Sequence, residues 1–193
     1  MTKVLLTGFE PFGTATSNPS GEIVKQISGD NIVTAILPVA YAGSAERLLA
    51  LIAEHNPDVV ICLGQAEGRT QITPEKVAIN LDDARLADNE GVLRNDVKIL
   101  VDGPDAYFTT LPINKMVEAI KAKGVPAAVS LSAGAFLCNH VFYVAQNKFA
   151  GTKVRSGFVH VPLMDSQAPE FPGLPTMPLD QMVTAVRAML EVL

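Results

Sequence analysis

Short apolar, β-rich runs alternating with segments of helical periodicity predict an α/β protein. The expected architecture is three-layered, α/β/α, with a largely parallel, twisted central sheet flanked by helices. Three observations carry this. Residues 59–63, VVICL, are a continuous apolar run, as in a strand buried on both faces. Residues 44–55 hold leucines at helical spacing. A similar alternation returns later, where an apolar run at 127–131 leads into a helical pattern at 134–149.

Taken in order, residues 3–9 read as a first strand, ending in the turn-rich Gly8-Phe9-Glu10-Pro11-Phe12-Gly13. Asn18-Pro19-Ser20 supplies an N-cap and a proline at the first helical position, so 19–27 should be helical. Residues 31–37 read as a strand. Asn56-Pro57-Asp58 ends the helix at 44–55, before the strand at 59–63. Residues 64–80, GQAEGRTQITPEKVAIN, give a glycine-bearing loop and a second extended segment. Residues 81–96 are polar loop, 97–101 a short edge strand, and 114–123 a helix ended by Gly124. After the strand at 127–131 and the helix at 134–149 come a strand at 156–161 and a loop at 162–178 with five prolines. An amphipathic helix at 179–193 closes the chain. No repeat or linker interrupts the pattern, so residues 1–193 are read as a single catalytic domain.

The 193 residues carry 15 Lys+Arg against 20 Asp+Glu, a net charge of −5. No basic cluster stands out, which argues against a nucleic-acid partner. No apolar run approaches the roughly 18 residues of a membrane helix, and MTKVLLTGFEPFG does not read as a signal peptide. Two distant cysteines and three histidines make neither a disulfide framework nor a zinc cage. The expectation is a cytoplasmic protein with free thiols, no metal and no cofactor. Asp82, Asp83 and Asp88 read as solvated loop carboxylates.

Ligands of parallel sheets gather outside the carboxyl ends of the strands. Phe9-Glu10, Gly64-Gln65, Ser132-Ala133 and His160-Val161 fall at such ends. Three separated segments carry groups that suit thiol catalysis. Cys138, in the first turns of a helix, is a candidate nucleophile, since unpaired N–H groups there favour thiolate. His160 is a candidate base and acid, and Glu75 a candidate to orient the imidazole. On residues alone each has a structural alternative. A cysteine in the context of Cys138 is more often a small core residue, and a lone strand histidine such as His160 is more often a satisfied structural one. Glu75 with Lys76 also reads as a surface charge pair. Cys62 reads as buried and inert, His55 as surface or capping, and His140 as structural.

Long segments nevertheless resemble one family: LLTGFEPFG with NPS, GQAEGRTQITPEKVAINLDDARLADNEG, SLSAGAFLCNH and SGFVHVP. They are similar to the pyroglutamyl peptidase I (pyrrolidone-carboxylate peptidase) family of cysteine peptidases, over nearly the whole chain. The resemblance implies a catalytic set of Glu75, Cys138 and His160. It implies a substrate pocket walled by Phe9, Phe12, Phe136 and Leu137, with Gln65 as a nearby polar residue and Arg85 helping at the oxyanion. The implied substrates are peptides with an N-terminal pyroglutamyl residue, cleaved through a thioester without cofactor or metal. A homo-oligomer, a tetramer in the family, is implied as well. Lys76 replaces the family's usual arginine and Glu67 a usual glycine. Competing readings are a related thiol amidase acting on another small cyclic amide, and a non-catalytic small-molecule-binding protein on the same scaffold.

Overall fold

A computed structural model describes residues 2–193; Met1, the first residue of the expected domain, lies outside the described residues. In chain order the elements are β1 (Val4–Phe9), α1 (Pro19–Lys25), β2 (Ile32–Leu37), α2 (Tyr41–His55), β3 (Val59–Gln65), β4 (Thr73–Pro74), β5 (Val77–Ile79), β6 (Ala106–Phe108), α3 (Ile113–Ala122), α4 (Leu137–Phe149), β7 (Arg155–Val161), β8 (Leu163–Met164), β9 (Thr176–Met177) and α5 (Leu179–Leu190).

The main sheet has the order β2-β1-β3-β7-β4. Its first four strands are parallel, and β4 adds to β7 antiparallel. The strands are short and apolar because both faces are covered. One core gathers α1, α3 and α5 through Ile23, Met116, Ile120, Val186 and Met189 against Leu6, Ile61 and Val159. The other packs α2 and α4, through Leu48, Val141 and Phe142, against Leu5, Val60, Cys62 and Phe158. This is the three-layer α/β arrangement expected, with alternate residues of each strand feeding opposite layers.

Local chemistry explains most boundaries. Asn18 caps α1, its side chain accepting from the Ser20 N–H, and Pro19 follows. Asn56 ends α2 in the left-handed conformation, and Gly124 (φ 78°) follows α3. Helix α2 begins three residues earlier than its leucine spacing predicts, because Asp88 Oδ2 accepts from the Tyr41 N–H at 2.9 Å. Helix α5 stops at Leu190, short of the chain end.

Three expectations fail. Residues 127–131 are not a strand: they lie along the extension of β4, bridging at Ala127 to Ile72 and at Ser130 to Glu75. Irregular main-chain bonds such as Ser130 N–H to Pro74 O (3.0 Å) join them. Residues 97–101 are not an edge strand, since pairing there is a single bridge between Val97 and Asp82. The Asn80 side chain takes up the Leu100 N–H and carbonyl, turning the chain, and the pairing partner of β5 is β6. Helix α4 starts at Leu137 rather than 134, because Gly134 adopts φ 75° and Phe136 is still extended. Among the described residues no helix is long and apolar enough to cross a membrane.

Candidate active site

The carboxyl ends of β3 and β7 meet the N-terminus of α4. Cys138 is the second residue of that helix. Gly64 of β3 is in register with His160 of β7, so positions 64 and 160 are neighbours on one face of the sheet. A methyl built on Gly64 would stand 2.8 Å from Cys138 Sγ and 2.6 Å from Phe158 Cζ. The thiol is therefore seated down onto the sheet, over the glycine beside His160, and a side chain at 64 would displace it.

His160 is 4% exposed and Glu75 fully buried. His160 Nδ1 lies 2.7 Å from Glu75 Oε1. A carboxylate there accepts the Nδ1 proton and leaves the other ring nitrogen as the acceptor of the neutral imidazole. Glu75 reaches this place because β4 pairs with β7, Thr73 opposite His160, and its own N–H donates to the Phe158 carbonyl at 2.9 Å.

Arg69, which sequence reading passed over, completes the arrangement. Its Nη1 is 2.8 Å from Glu75 Oε1 and bonds Thr73 Oγ1, while Nη2 donates to the Ser132 carbonyl at 3.0 Å. It thus ties the loop after β3, the carboxylate and the segment leading to Cys138. The signal available was an arginine closing the glycine-bearing GQAEGR loop. Glu75 is not paired with Lys76, whose Nζ lies 5.6 Å from the Phe108 ring centroid.

Burial pushes the Cys138 thiol up to about 12, with the Glu75 charge adding to the rise and the Arg69 charge opposing it. Desolvation thus works against the helix N-terminus, whose unpaired amides favour thiolate. Burial likewise lowers the His160 pKa, more than the hydrogen bond and charge of Glu75 raise it. Both shifts favour the neutral forms of the thiol and the imidazole. Cys62, fully buried in β3, is raised to about 11 by desolvation.

A small slot of about 50 Å³ ends at Cys138, lined also by Phe9, Phe12, Asn18, Val39, Gln65, Phe136 and Leu137. Phe12 and Phe136 stand 6.4 Å apart at 54°, and Tyr41 meets Phe136 edge-on. Of the residues expected near a pocket, Phe9, Phe12, Gln65, Phe136 and Leu137 come together here. Arg85 does not: it is exposed and lines a neighbouring hollow with Asp83, Ala84 and Leu86, sharing Phe12 and Phe136 but not Cys138. Asn18 and Val39 were missed; the sequence marked Asn18 only as a helix cap.

The other candidates are scaffold. His140 Nδ1 lies 2.9 Å from Asp82 Oδ2, which Arg94 also meets at 2.7 Å. Asp82 is fully buried and Asp88 6% exposed, both spent on hydrogen bonds, so the expectation of solvated carboxylates holds only for Asp83. Among the described residues no group of three or more His, Cys, Asp or Glu is placed to hold a metal ion.

A layered α/β sheet that presents a thiol, an imidazole and a buried carboxylate at its strand ends, beside an aromatic slot, has the makings of a thiol-dependent hydrolase. Comparison with known proteins narrows this class. The pyroglutamyl peptidase family model matches residues 2–193, and the chain belongs to that family. The pyrrolidone-carboxylate peptidase of Aliivibrio fischeri is 49% identical over 186 residues, covering 94% of this chain and 87% of that one. The Thermosipho melanesiensis protein of the same name is 46% identical, with 95% and 94% covered. The crystal structure of pyroglutamyl peptidase I from Bacillus amyloliquefaciens superposes with a TM-score of 0.94 at 44% identity, over 98% of this chain and 95% of the other. A variant pyrrolidone carboxyl peptidase of Pyrococcus furiosus gives 0.93 at 38%, over 98% and 97%.

Proposed function

We propose that this protein is a cysteine exopeptidase that hydrolyses the bond after an N-terminal pyroglutamyl residue, with Cys138 as nucleophile, His160 as base and acid, and Glu75 as the group that orients the imidazole. One observation carries the reading. Cys138 Sγ sits over Gly64, the register neighbour of His160, whose Nδ1 is held by buried Glu75 at 2.7 Å.

Bound substrate presents its carbonyl carbon to the thiol. His160 takes the Sγ proton as the C–S bond forms, so the charged pair arises during attack rather than before it. Glu75 stabilises the imidazolium. The amides of the first turn of α4, which intrahelical bonds leave unused, face the developing oxyanion. The imidazolium gives its proton to the leaving amine as the C–N bond breaks, leaving a thioester. Water, deprotonated by His160, then releases pyroglutamate and the thiol. An oxyanion contact from Arg85 would have to reach past Phe136.

The slot suits the lactam. It has aromatic and aliphatic walls and few polar groups, as a small ring without a free α-amine requires. We extend the reading to a single catalytic domain, supported by two cores that share one sheet. A cytoplasmic location is supported by two unpaired cysteines. A homo-oligomer, with the tetramer implied by family resemblance, would cover exposed apolar residues such as Val101, Phe108 and Leu131.

The test is release of a chromogenic amine from a pyroglutamyl amide, compared with its prolyl analogue, by reduced protein. Turnover of the first and not the second is expected. A folded protein inactive on the pyroglutamyl amide would overturn the proposal.

A further inference from the structure

The polarity of the slot is fixed by atoms outside it. Gln167 ends the 3-10 turn Asp165–Gln167 and is 1% exposed. One end of its amide meets the Met164 backbone N–H at 2.9 Å. A main-chain N–H only donates, so that end is Oε1. The other end donates to the Ser17 carbonyl at 3.2 Å, which only accepts. Main-chain groups thus settle which end is oxygen and which is nitrogen. Nε2 also lies 3.0 Å from Gln65, and the Gln65 atom receiving that hydrogen is Oε1. The Gln65 –NH2 end is therefore turned away from Gln167, and it makes a long 3.5 Å approach to Glu67 Oε1.

The second amide of the slot is committed in the same sense. Asn18 Oδ1 accepts from Ser20 N–H at 3.1 Å and from Ser20 Oγ at 2.8 Å, capping α1. Its Nδ2 spends one hydrogen on the Glu10 carbonyl at 3.0 Å. The fold consumes both side-chain amide oxygens, and N–H groups are what these residues have left to offer.

We propose that Gln167 is a positioning residue that turns the Gln65 amide so that the slot offers a hydrogen-bond donor, making the site selective for an amino-terminal ring bearing a carbonyl acceptor. The proposal rests on the reading of this slot as the pyroglutamyl site. The lactam C=O accepts from Gln65 Nε2. A prolyl ring has no such oxygen and would leave a desolvated donor without a partner, the kind of loss by which polar sites reject an analogue lacking the matching group.

Gln167→Glu keeps the side chain's size and its acceptor for the Met164 N–H, but sets an oxygen against Ser17 O and Gln65. Gln65 then reverses to donate outward, and its oxygen faces the lactam oxygen. We expect KM for the pyroglutamyl amide to rise about tenfold or more with kcat within about threefold, the signature of lost uniform binding. Discrimination against the prolyl amide should fall by a similar factor. Wild-type activity with a folded Gln167→Glu variant of unchanged KM would overturn this inference and leave the activity standing; an inactive wild type would overturn the activity itself. If the variant does not fold, nitrogen-15 spectra of the unmodified protein serve instead. Titration with pyroglutamate should shift the Gln65 side-chain amide protons, and an unmoved Gln65 signal would overturn the proposal.

Discussion

Arg69, Glu75 and His160 form one chain of cation, buried carboxylate and imidazole; Arg94, Asp82 and His140 form another. Both carboxylates are fully buried, and both arginines are partly open to solvent. The chains differ in what surrounds them. Asp82 meets His140 Nδ1 with both oxygens, at 2.9 and 3.1 Å, and the Tyr41 ring closes on His140 edge-on at 5.4 Å while Arg94 stacks over the same ring at 4.4 Å. Glu75 puts both partners on Oε1, leaves Oε2 buried without a partner, and holds an imidazole whose strand neighbour is the glycine under Cys138. A guanidinium, a carboxylate and an imidazole make a staple in one place and, under the proposed function, a proton relay in the other. What separates them is whether a thiol sits over the strand position beside the imidazole. Two residues along α4 turn His140 about 200° from Cys138, which is enough to decide it.

Exchanging the losses is the sharpest way to break this contrast. His160→Ala should cut kcat/KM by about a thousandfold or more with little change in melting temperature. His140→Ala should instead cost about 1–3 kcal/mol of stability, by leaving buried Asp82 without its imidazole partner on α4, while the folded fraction keeps most of its activity. Equal activity losses would erase the distinction.

Arg69→Met comes next, with a loss of about ten- to a hundredfold. Its charge lowers the pKa of both His160 and Cys138, so removing it raises both. The acid limb of kcat/KM, which should lie below 6.5 in the wild type, should move to higher pH. An unmoved limb would show that Arg69 acts only on packing. The same shifts bound stability. His160, lowered from 6.5, contributes stability present above that value and lost as pH falls through its folded pKa. Cys138, raised from 9.0 to about 12, contributes stability present below 9 and lost as pH rises toward 12.

Gly64→Ala should lower activity by about tenfold and destabilise the protein by about 1–3 kcal/mol, because the methyl meets Sγ and the Phe158 ring at once. Cys62→Ser, one turn of the pleat away, should leave the pH profile unchanged and cost only stability, measurable as a lower melting temperature.

The layers were legible in the sequence because strands buried on both faces have to be continuously apolar, and VVICL is. The carboxyl-end rule then gathered positions 9, 65 and 160 around one place without any knowledge of register, whereas its fourth position, Ser132-Ala133, follows no strand. Residues 127–131 misled because only Ala127 of the run is buried, while Val129 and Leu131 are exposed and the backbone bonds to β4 are irregular. The desolvation that raises the thiol was illegible: the helix start is local, whereas the burial that opposes it comes from segments far away in the chain. Arg69 and Gln167 escaped notice for a related reason. Each acts through another side chain, across a turn or a loop that periodicity does not encode.

The seating of Cys138 over Gly64 bears on how the protein meets reactive small molecules. Alkylating reagents and peroxides react with thiolate. Burial raises the Cys138 thiol, against the opposing charge of Arg69. Haloacetamides and hydrogen peroxide should therefore label this sulfur more slowly than they label a solvent-exposed free thiol. An electrophile carried on a pyroglutamyl ring, drawn into the slot and met by His160, should label it quickly. A thiol seated in this way favours reagents that fit the slot over those that do not.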